Sequence, residues 1–557
     1  MRRLLRSLIA TAPRRRSVRP HFRPELTVLE GRVVPATVLF QSHNYAGMQS
    51  ADSASGYVPP DTHLAAGPSH LVEVVNDTVA IFSKSTGAKV SSKGLKTFFS
   101  SLNVSASAVF DPVVTYDELA QRFVVAALAV NEAAKTSALL VGVSNGSDPT
   151  AGFTELQKIN VKETTATGKP LWGDNHKIGW NADAYVFTMN MFNYPLETGP
   201  FDHLQVVTIK KSTVLDANTA TLTKYQADRT GHFSMIPAVM HGAAAGGPMW
   251  FVETAGSNQM RVVKMTNLFS NAPTFSDTSV GVDAYKQPPS ATQKGGSGKL
   301  DTGDWRVLNV EWRGGTLVAA QTVGLAGDSL AHARWYKFTT AWVVALQDQG
   351  TLNPGAGVHT WCPAIAIALN GNLGMTFLQS SADEYMSAYV TARLASDAPG
   401  TMLSASLVKA GQAYYSDPYG APYRTGDYGG ISVDPTDGTF WAANEYATSA
   451  ASKNWGTQLV NFFALKLIPI PLQPSQYVMV QPYVSPLDTH STPAEKVVAA
   501  PGRPPDANKN QVAGGSPGLG AAAAADLAAA LLRHTAAPAP LGPAPGDLPW
   551  LDLGSRM

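Results

Sequence analysis

From residue 37 to about 468 the chain alternates between short apolar runs and turns. A typical unit opens on Asp or Pro, runs through mostly apolar residues, turns at Gly, Asn or Asp, and enters a second apolar run. The pattern occurs seven times, beginning near Asp61, Asp111, Asp174, Pro237, Asp304, Pro363 and Asp427, at intervals of 50 to 67 residues. Asn370-Gly371 and Asp437-Gly438 between apolar runs are strong hairpin signals, because these residues accept positive φ. Each unit also carries a later strand pair, such as 138–143 in the second and 204–209 in the third. Four strands per unit predict an all-β fold: a β-propeller of about seven four-stranded blades. Thr37 to Phe40 is expected to close the ring by pairing with the last blade near Gln458 to Leu467.

Composition fits that reading. Of 557 residues, 48 are Gly, 38 are Pro and only 15% are charged, the profile of a turn-rich β chain. The 44% of hydrophobic residues is ample for a core. Charge is uneven. Residues 1–35 hold nine Arg and two Glu, so the remainder is mildly acidic against a formal total of +1. An acidic body argues against nucleic acid as a partner, since phosphate binding needs a basic face. No transmembrane segment is expected, because no stretch reaches the apolar length of a span. The single cysteine, Cys362, sits among apolar neighbours and reads as a buried structural thiol.

These shifts divide the chain into 1–36, an Arg-rich leader; 37–468, the propeller; and 469–557, a Pro/Ala-rich linker and tail. Leu29-Glu30-Gly31-Arg32-Val33-Val34-Pro35-Ala36 resembles the Leu-Glu-x-Arg-x-x-Pro-Ala signature of an export leader found in one group of bacteria. The resemblance implies a secreted or cell-surface protein, with processing near Ala36.

A second resemblance lies in the body. Thr425-Gly426-Asp427-Tyr428-Gly429-Gly430, followed by Ser432-Val433-Asp434-Pro435, Phe440-Trp441 and Asn444-Glu445-Tyr446, resembles a segment of a group of uncharacterised secreted bacterial β-propeller proteins. Pro59-Pro60-Asp61-Thr62 and Ala66-Gly67-Pro68-Ser69-His70 look like that group's opening motif. The likeness spans roughly residues 57–468 and implies fold and export, not an activity. Ser432-x-Asp434 with Gly438-x-Phe440 is also similar to the sialidase Asp box. Its spacing is two residues too long and it falls between the wrong strands, so it reads as a structural turn.

Candidate chemistry follows from phase. If the units begin on the innermost strands, Asp61, Asp111, Asp174, Asp304 and Asp427 ring one mouth of the central channel. Such oxygen ligands would suit Ca²⁺, unless each Asp caps its own turn. Trp172, His176, Trp305 and Tyr428 are expected at the same mouth as ligand-binding groups, together with Trp361. Asp174, Asp427, Glu445 and Arg306 are the catalytic candidates if the protein hydrolyses glycosides, which needs one carboxyl as acid and another as base or nucleophile. A sialidase would add an arginine cluster, for which Arg306, Arg393 and Arg424 are available. Two readings remain. The first is a monomeric binding or surface-scaffold protein without catalysis, whose partner is an extracellular glycan or surface protein. The alternative is a carbohydrate-active hydrolase or lyase.

Overall fold

The computed structural model describes residues 37–466, apart from 54–56, 162–163, 166, 197, 216–221, 271 and 450–453. The expected leader and tail lie outside these residues. The regular structure of the described chain is almost entirely strand, in a β-propeller arrangement. Five sheets stand separately with four strands each. The first is the antiparallel run His63–Ala66, His70–Val75, Thr78–Ser83 and Lys89–Gly94. Another unites Gly430–Val433, Phe440–Ala447 and Trp455–Lys466 with the first strand of the fold, Thr37–Gln49.

The expectation of about seven blades is therefore corrected to five separate ones. Strands of the third and fifth sequence units share a sixth sheet of nine strands. The bridge is the short strand Val239–His241, which pairs in parallel with Leu171–Trp180 on one side and Val307–Arg313 on the other. Gly179 permits the junction. The carbonyl of Ala238 accepts from Trp180 N–H at 3.1 Å, and a Cβ at position 179 would collide with that carbonyl.

Burial explains the sequence pattern. The innermost strand His359–Ile367 is buried at every position, because both faces pack on other sheets. Such strands read as continuous apolar runs rather than alternating ones. The outer strand Lys224–Arg229 alternates exposed and half-buried residues, and its charges blunt the free edge. Trp180, Trp335, Trp361, Trp441 and Trp455 are fully buried and fill the core. The turn at Asp434 is structural, as expected. Its carboxylate accepts from Thr436 N–H at 2.9 Å and Trp441 Nε1–H at 2.9 Å, and pairs with Lys84 at 2.6 Å.

The first strand is longer than the expected 37–40, and it does pair with the last. Ser42 bonds Asn461, and Gln458 bonds Asn44. Glu73, fully buried in the first sheet, fastens this seam. Its carboxyl bonds Met48 N–H at 3.0 Å and the Thr457 hydroxyl, which also donates to the Met48 carbonyl at 3.1 Å.

Candidate functional site

In five units a residue at or near the start is left-handed, and in three of them it marks a β-bulge. Asp61, Asp111, Asn175, Ser234 and Cys362 share one backbone conformation, with φ between 47° and 51°. Strand register slips between Phe110 and Val113, between Asp174 and Lys177, and between Trp361 and Ala364. Left-handed residues are the usual device for such a bulge, and Asp and Asn tolerate the conformation best. The sequence phase was thus one residue early at Asp174, one late at Pro363 and three late at Pro237.

A cavity of about 400 Å³ lies beside these bulges. Asp111, Asp174, Asp301, Asp304 and Asp427 line it, with Arg306, Arg424, Asn175, Tyr419 and Tyr428. A smaller space of about 40 Å³, room for one water, lies among the inner strands and touches Leu64, Val114, Ile178, Ile236, Val310 and Ile431. Lys177 and His63 line the small space, whereas Tyr428 lines the large one. The Lys177 ammonium donates to Asn175 Oδ1 at 2.9 Å and sits 3.8 Å from the Tyr428 ring centre. His63 meets the same ring edge-on at 6.1 Å. These three side chains stand between the two spaces.

Electrostatics bind the cluster together. Burial, then Asp427 and Asp111, pushes Asp61 well above the ordinary carboxylate range. Burial and then Asp174 push Asp111 up likewise. Burial lowers Lys177 against the pull of Asp111 and Asp61. Burial also lowers His63 to about 4 and His176 to about 3, so both imidazoles are neutral near pH 7. Arg306 clasps Asp304 through Nε at 2.8 and 2.9 Å and Nη2 at 2.6 Å. Although burial opposes it, this clasp holds Asp304 below its usual range. Arg424 pairs with Asp427 at 2.7 Å.

Four members of the expected ring, Asp61, Asp111, Asp174 and Asp427, thus feel one another, while Asp304 lines the cavity with its carboxylate turned onto Arg306. Among the described residues no three His, Cys, Asp or Glu are arranged to hold a metal ion. Of the expected ligand-binding aromatics, only Tyr428 reaches the cavity. Trp172 is buried, tilts against Phe192 at 5.6 Å and donates to the Asn193 carbonyl. Trp305 packs edge-on to Tyr285 at 5.7 Å. His176 is fully buried, as is Trp361, whose indole N–H bonds Thr425 at 2.9 Å. These large rings fill gaps between sheets, which is why they are absent from the cavity wall.

The catalytic candidates divide in the same way. Asp174, Asp427 and Arg306 line the cavity. Glu445 is fully buried and instead accepts from Gly426 N–H at 2.6 Å, fixing the backbone beside Asp427. Arg306 and Arg424 share the cavity, but Arg393 pairs with Asp348 elsewhere and lies 5.0 Å from the Trp335 ring. Cys362 lines the cavity at 2% exposure, with its thiol pushed well up by burial.

Lys177, Asn175, Asp301 and Tyr419 were missed. Lys177 follows three polar residues, Asp174, Asn175 and His176, directly before Ile178–Trp180, so the sequence does not single it out. Asn175 sits at the bulge of the strand Leu171–Trp180, and Asp301 and Tyr419 lie outside the strands, where folding onto the cavity has no sequence signature.

No family model matches the chain, and no curated protein matches it. Solved structures of similar fold include a Trypanosoma rangeli sialidase in complex with 2,3-difluorosialic acid, at 12% identity and a TM-score of 0.33. That match covers 68% of this chain and only 56% of the sialidase chain. A subtype N10 neuraminidase-like protein from a little yellow-shouldered bat isolate matches at 6% identity, 61% and 95% coverage and a TM-score of 0.33. The WD40 domain of SCAP from fission yeast matches at 8% identity, 76% and 98% coverage and a TM-score of 0.31. At these identities and TM-scores the similarities carry no argument about this chain.

Proposed function

We propose that the protein is an exported binding or cell-surface scaffold propeller, of the secreted bacterial group its motifs resemble, that holds a small polar ligand in the 400 Å³ cavity. One observation carries the reading. A single space, with Tyr428 at its floor and the Lys177 ammonium 3.8 Å from that ring, gathers five carboxylates, two guanidinium groups and two tyrosines. Polar groups converging on one concave site are the ordinary form of a recognition pocket. Within this reading the nine-stranded sheet counts as two four-stranded units laced by Val239–His241, so that seven units surround the inner strands. The absence of Trp172 and Trp305 from the wall leaves Tyr419, at 44% exposure, as the accessible stacking surface. The test is thermal melting of the full chain with neutral glycans, sugar acids, amines and Ca²⁺. A ligand that raises the melting point of wild type and not of Asp174→Asn supports the cavity. No shift with any class withdraws the reading.

One observation favours a second reading, a glycoside hydrolase or lyase. Asp111 is pushed up by burial and by Asp174, while Asp427 is paired with Arg424, so two carboxyls of one cavity have different environments. That contrast is how an acid and a base are set apart. Release of nitrophenol from aryl glycosides, abolished in Asp111→Asn, would favour this reading. Activity that survives in Asp111→Asn would remove it.

A further inference from the structure

The charges on the cavity wall do not balance. Five carboxylates face two guanidinium groups, and both guanidinium groups are already committed, Arg306 to Asp304 and Arg424 to Asp427. Lys177 adds one positive charge below the floor, where it is held by Asn175. Two buried polar atoms of the charged cluster, one of them on the cavity wall, have no partner among the described residues. One is the hydroxyl of Tyr428, a residue 5% exposed that lines the cavity. The other is Oδ1 of Asp61, a residue 4% exposed. A buried hydroxyl left unbonded is costly, and a ligand group that hydrogen-bonds to it recovers that cost.

Taking the cavity as a binding site, we propose that its ligand is a compact organic cation, an ammonium or guanidinium group, seated over Tyr428 with its charge met by Asp111 and Asp301. The volume suits a body of roughly sugar or amino-acid size rather than a bare ion. The wall also disfavours a directly coordinated metal, because its carboxylates are spread around the cavity and no three are grouped for coordination. The direction of the titrations agrees. Burial and Asp427 raise Asp301, and burial and Asp174 raise Asp111, as expected of acids short of positive charge. Asp111 faces Asp174 and Lys177 on the strand Leu171–Trp180, and Asp427 and Arg424 on the loop before Gly430–Val433. An added cation enters that set on the side where positive charge is scarce.

The test is calorimetric titration of the full chain at pH 6.5 with matched pairs: D-glucosamine against N-acetyl-D-glucosamine, and ethanolamine against ethylene glycol, with D-glucuronate and CaCl₂ alongside. At least one amine is expected to bind ten times or more tightly than its neutral partner. Asp111→Asn and Asp301→Asn should each cut that preference severalfold. Two positions are used so that a variant that does not fold leaves the other to decide. Binding of neutral sugars or glucuronate with no preference for the amine overturns the cation and leaves the cavity reading standing. Preference for Ca²⁺ overturns it in favour of a metal. No binding by any probe removes the cavity reading together with the inference.

Discussion

Glu73 gives the sharpest test of how the ring is closed. Burial pushes its carboxyl up to about 7, from an ordinary value of 4.5, against the opposing hydrogen bonds from Thr457 and Met48. When Glu73 is protonated, the one Thr457 O–H can donate to the Met48 carbonyl, 3.1 Å away, while its oxygen accepts the hydrogen bond of the carboxyl O–H. A raised carboxyl means that the folded state binds the extra proton. Its stabilisation is complete below the unfolded value and is lost as pH rises through the folded one. Over the interval from about 4.5 to about 7 the loss is about 3 kcal/mol, at about 1.4 kcal/mol per pH unit. Glu73→Gln keeps an acceptor for Met48 N–H and a donor for Thr457, and does not titrate. The assay is equilibrium unfolding in urea at about pH 5, 6, 7 and 8, comparing variant with wild type. Acids common to both chains, such as Asp111, cancel in the difference. The variant is expected to gain on wild type by about 1.4 kcal/mol per unit up to pH 7 and then hold level. A difference that is constant with pH would refute the argument.

Two further outcomes follow from residues outside the cavity floor. Asp434→Ala leaves the Trp441 indole N–H unpaired and takes the counter-charge from Lys84, whose ammonium keeps the Gly67 and Pro68 carbonyls, and should cost about 2–4 kcal/mol in the same unfolding assay; a loss under 1 kcal/mol would show the turn to be dispensable. The Cys362 thiol should resist a thiol-specific reagent in the native protein and react at once in denaturant, because burial raises it and its sulfur faces the Gly426 carbonyl. Native labelling at the denatured rate would contradict that placement.

The fold was legible because its rules are local. Gly371 and Gly438 do adopt positive φ in their hairpins, at 79° and 73°, and the fully buried inner strands do read as apolar runs. The partnership of the first strand with the last was also visible, since a lone strand ahead of the first unit has one natural place to pair. The fused nine-stranded sheet was not legible, because it depends on which carbonyl Gly179 can approach. The site was only half legible. Repeat phase found the left-handed Asp61 and the bulge residue Asp111, but a bulge shifts register, and a slip of one residue exchanged Asn175 for Asp174 and Cys362 for Pro363. Aromatic content misled for a physical reason. Trp172, Trp305 and Trp361 are worth more filling gaps between sheets than standing on a wall facing solvent.

The seam between Thr37–Gln49 and Trp455–Lys466 also sets a timetable for the newly made chain. Ser42 and Asn461 are 419 positions apart. During synthesis, each separate sheet of consecutive strands can assemble as it emerges, but the first strand must wait in water until almost the whole body has been made. An unpaired strand edge is a template for wrong partners throughout that wait. The strand is equipped for it: Gln41, Ser42, His43 and Asn44 give this stretch polar side chains on both faces, which water satisfies as readily as Asn461 and Gln458 do later.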